Sequence, residues 1–255
     1  MTRVLAIGTL RDLIPPLLWR LLRRLVGGRH EHERVNYQGV SCPFTLTRIH
    51  VGSFAEVHEK WAQLDTHIGR DVNVTRLRVY TVLSLAQMAV RNTRSGDFMT
   101  AGVSFGTAPL VVSECLKAEL KPRKWFLIDP LDGSATSLQR GQTSYNTDFE
   151  LVRGRWVQDV EAVWVREFLS SKVLDVMPEF AFVHLNTGDF DAEFSCMRTL
   201  IEKLVPGGFI IFDLYGWLAP NRQQMIDELL VDANTTSFEM VTRQLVIGKP
   251  ALSLP

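Results

Sequence analysis

Cysteine is scarce in this chain, and neither sign of charge is in excess. Three cysteines, Cys42, Cys115 and Cys196, are spread over 255 residues, a spacing that fits neither a zinc site nor a disulfide framework. We therefore expect the reducing environment of the cytoplasm. The 28 basic residues equal the 28 acidic ones, so the chain has no overall basic field that would attract nucleic acid. We expect no nucleic-acid partner.

The chain also lacks an apolar run long enough to span a membrane. Near its start, leucines from Leu10 to Leu25 recur at helical spacing, but arginines interrupt the run. This pattern predicts an amphipathic helix that begins near Pro15. Two roles stay open for residues 13–26. They contact an anionic membrane at its inner face, or they pack against the protein's own core or a second copy in a homo-oligomer.

A polar segment follows, Arg29–Arg34, whose two histidines are two positions apart. Residues at that spacing do not share a helical face, and no further ligand follows at metal spacing, so a solvated linker is predicted. Apolar periodicity predicts helices over Phe54–Leu64 and Val74–Val90. We therefore assign residues 1–34 to the amphipathic helix and linker, and residues 35–95 to a helical cap.

From residue 96 onward, short apolar runs alternate with helical stretches, a pattern typical of a mostly parallel sheet. The predicted strands are Phe98–Val103, Trp125–Ile128, Phe149–Val152, Phe180–Leu185 and Phe209–Phe212. The predicted helices are Ala108–Glu119, Val160–Ser170, Phe194–Leu204 and Asn221–Val231. The closely spaced runs Phe238–Met240 and Gln244–Ile247 can pair only as an antiparallel hairpin. Residues 96–255 are thus expected to form a Rossmann-like α/β domain, mostly parallel with a C-terminal antiparallel hairpin.

The turn after the first of these strands has the composition of a cofactor-binding loop. Gly102 and Gly106 let the backbone turn and approach a ligand closely, and Ser104 and Thr107 add hydroxyls near a helix N-terminus. Asp129 follows the second strand, at the spacing of a carboxylate that accepts hydrogen bonds from a ribose diol. An aspartate before a proline also occurs in plain turns. Together the turn and the acid predict a nucleotide-type cofactor at the carboxyl ends of the strands.

A nicotinamide-dependent dehydrogenase would use a similar turn and acid. Its dinucleotide cradle needs Gly-x-Gly-x-x-Gly, so that a pyrophosphate can approach the helix N-terminus. Here Ser104 stands in place of the second glycine. The sequence therefore disfavours a dehydrogenase.

Further motifs follow this turn in a fixed order between residues 74 and 249. They are Gly96-Asp97-Phe98-x-x-x-Gly102-Val103-x-x-Gly106, Leu127-Ile128-Asp129-x-x-x-Gly133, His184-Leu185-Asn186, Val205-Pro206-Gly207-Gly208 up to Asp213, and Tyr215-Gly216. Together they resemble the macrocin O-methyltransferase family of class I S-adenosylmethionine-dependent enzymes. The resemblance implies transfer of a methyl group from S-adenosylmethionine to a hydroxyl of a sugar, a glycan or a glycosylated natural product.

The resemblance also implies which residues contact the cofactor. The turn from Gly102 to Thr107 would hold the methionine part, Asp129 the ribose, and Gly154 with Trp156 would lie beside the adenine. A large aromatic side chain after a strand is more often a packing residue.

Members of this family typically carry an acid in a His-Leu-Asp motif and an Asp-Asp pair after the next strand, which together hold a divalent cation. Here the first acid is replaced by Asn186, and the pair is Asp213-Leu214. The loss of two charges removes most of the attraction for a hard cation, so a divalent metal is doubtful and we expect no metal site. The acid of the first glycine motif is likewise replaced, by Thr100.

Three mechanisms stay open. In the preferred one the enzyme needs no metal, and His184 or Asp213 removes the acceptor proton at a site that also contains Asn186. A histidine between apolar strand residues is also a common core residue. In another, the chain binds a cofactor or glycan without catalysis, as a scaffold in a biosynthetic complex.

The remaining mechanism uses a metal at a displaced acidic site just beyond the strand that contains His184. Its acids would be Asp189, Asp191 and Glu193. The same three residues also fit the acidic start of a helix, which the helix dipole favours.

Overall fold

The computed structural model describes residues 32–37, 40–45, 72–104, 106–120, 122–131, 149–231, 233 and 235–251. The amphipathic helix predicted near residues 13–26 and the helix predicted over Phe54–Leu64 lie outside these residues. Among the helices in the described part, none is long and apolar enough to cross a membrane.

Two strands, β1 (His32–Tyr37) and β2 (Val40–Thr45), form a separate antiparallel pair in which Tyr37 lies opposite Val40. The sequence predicted only a linker and helices in this part of the chain. Alternating residues such as Val35 and Tyr37 are typical of a strand, but the polar residues around them hid this signal.

A seven-stranded sheet forms the centre of the fold. Its strands are β3 (Asp97–Ala101), β4 (Trp125–Ile128), β5 (Ala162–Val165), β6 (Phe180–Leu185), β7 (Leu204–Phe212), β8 (Thr236–Glu239) and β9 (Leu245–Gly248). They lie in the order β5-β4-β3-β6-β7-β9-β8. The first five are parallel, and β9 pairs antiparallel with both β7 and β8. The predicted α/β fold with a C-terminal antiparallel hairpin is therefore confirmed.

Helices cover both faces of the sheet. They are α1 (Val72–Asn92), α2 (Thr107–Leu116), α3 (Phe149–Gly154), α4 (Ser171–Asp175), α5 (Phe190–Lys203) and α6 (Pro220–Val231). Apolar side chains of α1, α2 and α3 belong to the core on one face. Those of α4, α5 and α6 belong to the core on the other face. Successive strand residues point to opposite faces, so His184 and Thr100 face the side covered by α1 and α2.

The long helix α1 confirms the prediction over Val74–Val90. Val79, Val82, Leu83 and Ala86 are buried at helical spacing against the sheet, which is typical of a helix that packs on a core. On the same face the rings of Phe98 and Trp125 meet edge to face, 5.3 Å apart. Burial of a side chain of this size contributes about 2 kcal/mol.

Two predicted elements are wrong. Phe149–Val152, predicted as a strand, is part of helix α3, and the predicted helix Val160–Ser170 contains strand β5. A four-residue apolar run is too short to show its period. The β-branched and aromatic residues of Ala162–Val165 fit a strand better, and this strand pairs with β4.

Candidate active site

Four of the residues predicted from sequence form one row along the carboxyl edge of the sheet. Hydrogen bonds that continue the parallel ladders hold the row together. They are Asp129 N to Val165 O at 3.1 Å, Gly102 N to Ile128 O at 2.9 Å, Asn186 N to Ala101 O at 2.8 Å and Asp213 N to Leu185 O at 3.0 Å. The order of the row is Asp129, Gly102, Asn186, Asp213. It crosses the point between β3 and β6 where the strand order reverses, which is where ligands bind in open α/β sheets.

Gly102 allows the ends of β3 and β6 to approach each other. Its φ is +82°, and a Cβ at this position would overlap the main-chain oxygen of Asn186. An L-residue would therefore have to enter the left-handed region and also move β6. The glycine predicted from its position in the motif is required by the sheet itself.

The loop after β3 is tied to the loop after β4 by the carboxylate of Asp129. The Ser104 N–H donates to Oδ2 at 2.9 Å, and the Leu131 N–H donates to Oδ1 at 3.0 Å. Ser104 has a φ of 50°, and Gly106, with a φ of 79°, is the N-cap of α2. Thr107 is the first residue of that helix and is half-buried. These contacts hold Ser104 beside Asp129, at the turn where the sequence predicts the cofactor.

Thr100 has a packing role. It is fully buried, and its Oγ1 accepts a hydrogen bond from Nε1 of Trp125 at 3.1 Å. The position at which the resembled family has an acid is thus filled by a neutral side chain that faces the core.

Asp213, at the end of β7, lies in a buried polar cluster. Arg78 of α1 donates through Nη2 to the main-chain oxygen of Asp213 at 2.7 Å and lies 2.8 Å from its Oδ2. Gln244 donates through Nε2 to Oδ1 at 2.5 Å, and its own Oε1 accepts from Thr242. His184 Nε2 lies 3.4 Å from the same Oδ1. We refer to Arg78, His184, Asp213 and Gln244 as the Asp213 cluster.

The charge state of Asp213 follows from this cluster. Burial alone would raise the pKa of its carboxyl. The charge of Arg78 and the contacts with His184 and Gln244 outweigh burial and hold the pKa well below its usual range. The Asp213 side chain is therefore an ionised carboxylate and a weak base.

His184 is almost completely buried. Only 2% of its surface is exposed. Its distance to Asp213 is within ion-pair range, but the geometry is not that of a hydrogen bond, and neither ring nitrogen has a hydrogen-bond partner among the described residues. Buried polar atoms are nearly always paired, so unpaired ones call for an explanation such as a bound water, strain or a functional role.

The three acids beyond β6 do not form one site. Asp189 caps α5 by accepting hydrogen bonds from the N–H groups of Asp191 and Ala192, and exposed Asp191 lies 3.5 Å from Arg222. Glu193 turns inward instead. Among the described residues, no group of three His, Cys, Asp or Glu side chains could hold a metal ion. The acidic helix start describes Asp189 and Asp191 better than a displaced metal site does.

Glu193 is a fully buried carboxyl at the start of α5. Its Oε1 accepts hydrogen bonds from N and Oγ1 of Thr187, both at 2.6 Å. Its Oε2 is buried and has no partner within the part of the chain that the structure describes. Burial raises the pKa of Glu193 to about 7, although the bonds from Thr187 oppose this rise.

The structure does not place Gly154 and Trp156 after a strand. Gly154 ends helix α3. The Trp156 ring packs at 5.8 Å from the rings of both Trp125 and Trp164, and its N–H donates to Val160 O at 2.8 Å. These contacts favour packing over an adenine wall.

Two groups of residues near this edge were not predicted from sequence. The first group is Arg166, Glu167 and Phe168, which follow β5. The Arg166 guanidinium lies 4.8 Å from the centre of the Phe149 ring. The β-branched and aromatic residues of β5 were the sequence signal that could have predicted a strand just before them. Arg78 gave a weaker signal, because a single arginine on an amphipathic helix usually faces solvent.

Comparison with known proteins supports the fold. No protein-family model matches the chain, and a comparison with curated proteins finds no match. Among solved structures, the O-methyltransferase NovP is similar at 17% identity and a TM-score of 0.54, over 68% of this chain and 79% of NovP. The calicheamicin methyltransferase CalS11 is similar at 14% identity and a TM-score of 0.51, over 76% of this chain and 91% of CalS11. The chain therefore has the fold of class I S-adenosylmethionine-dependent methyltransferases.

Proposed function

We propose that the chain is an S-adenosylmethionine-dependent O-methyltransferase of the macrocin type, acting on a hydroxyl of a sugar, a glycan or a glycosylated natural product. The observation that carries the proposal is the row of residues at the carboxyl edge, where Asp129 joins the loops after β3 and β4. Two methyltransferases share the fold; one is named as an O-methyltransferase, and the name of the other, calicheamicin methyltransferase, refers to a natural product.

The residues of the edge fit this cofactor. Ser104 and Gly106, both with positive φ, turn the main chain at the start of α2, and Asp129 provides a carboxylate where a ribose would lie. On the adenine side we propose residues 166–168, after β5, in place of Gly154 and Trp156. The cofactor supplies a methyl group that its sulfonium already activates, so the protein has to orient an acceptor oxygen and receive its proton.

We propose that His184 receives that proton. Asp213 is committed to Arg78 and Gln244, and its low pKa makes it a weak base. The His184 Nε2 faces Asp213, so Nδ1 would take the proton and the Asp213 carboxylate would stabilise the imidazolium. Asn186, next in the row, would hold the acceptor oxygen through its amide. No step of this mechanism needs a metal.

A second function has its own supporting observation. His184 is 2% exposed, and Asp213 is already paired with Arg78 and Gln244 of the chain itself. A domain of this kind that binds a cofactor or glycan without transferring a methyl group would serve as a scaffold in a biosynthetic complex.

Transfer of isotope-labelled methyl groups from S-adenosylmethionine to a panel of hydroxylated glycosides distinguishes the two functions. The enzyme should label at least one acceptor equally well with and without a chelator. His184→Gln should lower the rate by roughly a hundredfold or more while cofactor affinity stays unchanged. Cofactor binding without transfer to any acceptor would support the scaffold, and full activity of His184→Gln would exclude His184 as the base.

A further inference from the structure

One positively charged side chain, that of Arg78, makes polar contacts with Asp213 at the end of the row. Arg78 contacts Asp213 twice through Nη2, at the side-chain Oδ2 and at the main-chain oxygen. These contacts join the first described helix of the cap to the end of β7. A guanidinium carries a fixed positive charge, so Asp213 already has a counter-ion before any ligand binds.

The other two positions at which the resembled family holds a divalent cation are neutral. They are Asn186 and Leu214. Asn186 also donates its main-chain N–H to β3, and Leu214 precedes the turn Tyr215–Trp217. One carboxylate and one guanidinium balance each other, so the site has neither the ligands nor the net negative charge that a hard cation requires. The residues present do not fit the metal.

Buried polar atoms without a partner lie near the same carboxylate. The Arg78 Nε is buried, and so are both nitrogens of His184; none has a hydrogen-bond partner among residues the structure describes. About a fifth of the Arg78 side chain is exposed, against 9% of Asp213. Arg78 is therefore the more accessible of the two charged side chains.

We propose that Arg78 supplies, from within the chain, the positive charge that a divalent cation supplies in the O-methyltransferases this chain resembles. The Arg78–Asp213 pair occupies the cation position and presents hydrogen-bond donors to the acceptor oxygen. This assignment rests on the proposed function, since it gives Arg78 its role toward an acceptor. It also explains why two acids are absent, because a dication beside a guanidinium would be repelled.

Binding of Mn²⁺, followed by the loss of the electron paramagnetic resonance signal of the free ion, tests the proposal without any need for activity. The starting variant restores both acids, Asn186→Asp with Leu214→Asp, and keeps Arg78. A second variant adds Arg78→Gln, and a third adds Arg78→Lys, which retains the charge. The control adds Lys124→Met instead, which removes one charge from an ion pair of 2.9 Å with Glu161 before β4.

The proposal predicts that only the variant with Arg78→Gln gains a site, with affinity for Mn²⁺ at least about tenfold above that of the other three. Equal affinity in the Arg78→Gln and Arg78→Lys variants, or tight binding while Arg78 is retained, would overturn it. If Arg78→Gln does not fold, the starting variant still decides. Sub-millimolar binding to it contradicts the proposal, and no binding up to roughly 10 mM supports it. Failure of the proposed methyl transfer would leave these outcomes unchanged.

Discussion

Asp213 owes its properties to its neighbours rather than to its place in a motif. The carboxylate lies 2.8 Å from a guanidinium and accepts a hydrogen bond from an amide. Removing the counter-ion would leave a buried charge unpaired, which usually costs more than the intact pair contributes. The same contacts that make Asp213 a poor base therefore make it sensitive to changes at Arg78.

Arg78→Met keeps most of the side-chain length and removes the charge. We expect it to lower the free energy of unfolding by about 3–5 kcal/mol at pH 7, measured by urea denaturation. Adding Asp213→Asn should recover most of this loss, because the unpaired charge is then gone. A double variant no more stable than Arg78→Met alone would show that packing, and not charge, determines the loss.

Glu193 makes stability depend on pH. Its pKa is 4.5 in the unfolded chain and about 7 in the folded one. Its contribution is fully present below pH 4.5 and is lost as the pH rises through 7, because the unfolded chain ionises more easily. Over this window the loss is up to about 3 kcal/mol.

Glu193→Gln should remove this part of the pH dependence. Urea unfolding at pH 5 and at pH 8 should therefore show a smaller decrease for the variant than for the unchanged chain. Glu202→Gln, at an exposed position of the same helix, serves as the matched control and should leave the decrease unaltered. Identical decreases in all three proteins would mean that Glu193 ionises normally.

At the scale of elements, a comparison of two glycines tests whether the close approach of β3 and β6 requires glycine. Gly102→Ala places a Cβ against Asn186 and forces a left-handed alanine, so we expect a loss of more than about 2 kcal/mol in urea unfolding. Gly154→Ala is the control. No described atom beyond its chain neighbours and its own helix lies within 4 Å of the new Cβ, and alanine favours a helix by up to about 1 kcal/mol. Equal effects at both positions would contradict this account of the β3–β6 approach.

The long helix and the most apolar strands could be predicted from sequence, and two other short elements could not. Buried apolar residues recur at helical spacing in α1 from Val79 to Ala89, β4 is an uninterrupted apolar run, and β6 is interrupted only by His184, so each was predicted with its type. Phe149–Val152 and Ala162–Val165 are four residues each, and tertiary pairing with β4 decides which one is a strand. Because of that exchange, Gly154 and Trp156 were expected beside the adenine, where we now propose residues 166–168.

For the whole molecule, the sequence motifs predicted which residues lie at the carboxyl edge of the sheet, but they did not predict that Asp213 pairs with Arg78. Gly102, Asp129, Asn186 and Asp213 follow strands, so their alignment in one row follows once the sheet is parallel. Arg78 and Asp213 are 135 positions apart. Their contact depends on how α1 crosses the sheet, which no local pattern specifies.

Calorimetric titration with S-adenosylmethionine and S-adenosylhomocysteine measures whether the row at the carboxyl edge holds this cofactor. We expect both ligands to bind at one site. Asp129→Asn should weaken that binding by about tenfold or more through the lost charged acceptor, while Asp175→Asn, at an exposed position, should leave it unchanged. No heat with either ligand, or equal affinity in the Asp129→Asn variant, would show that the row does not hold the cofactor.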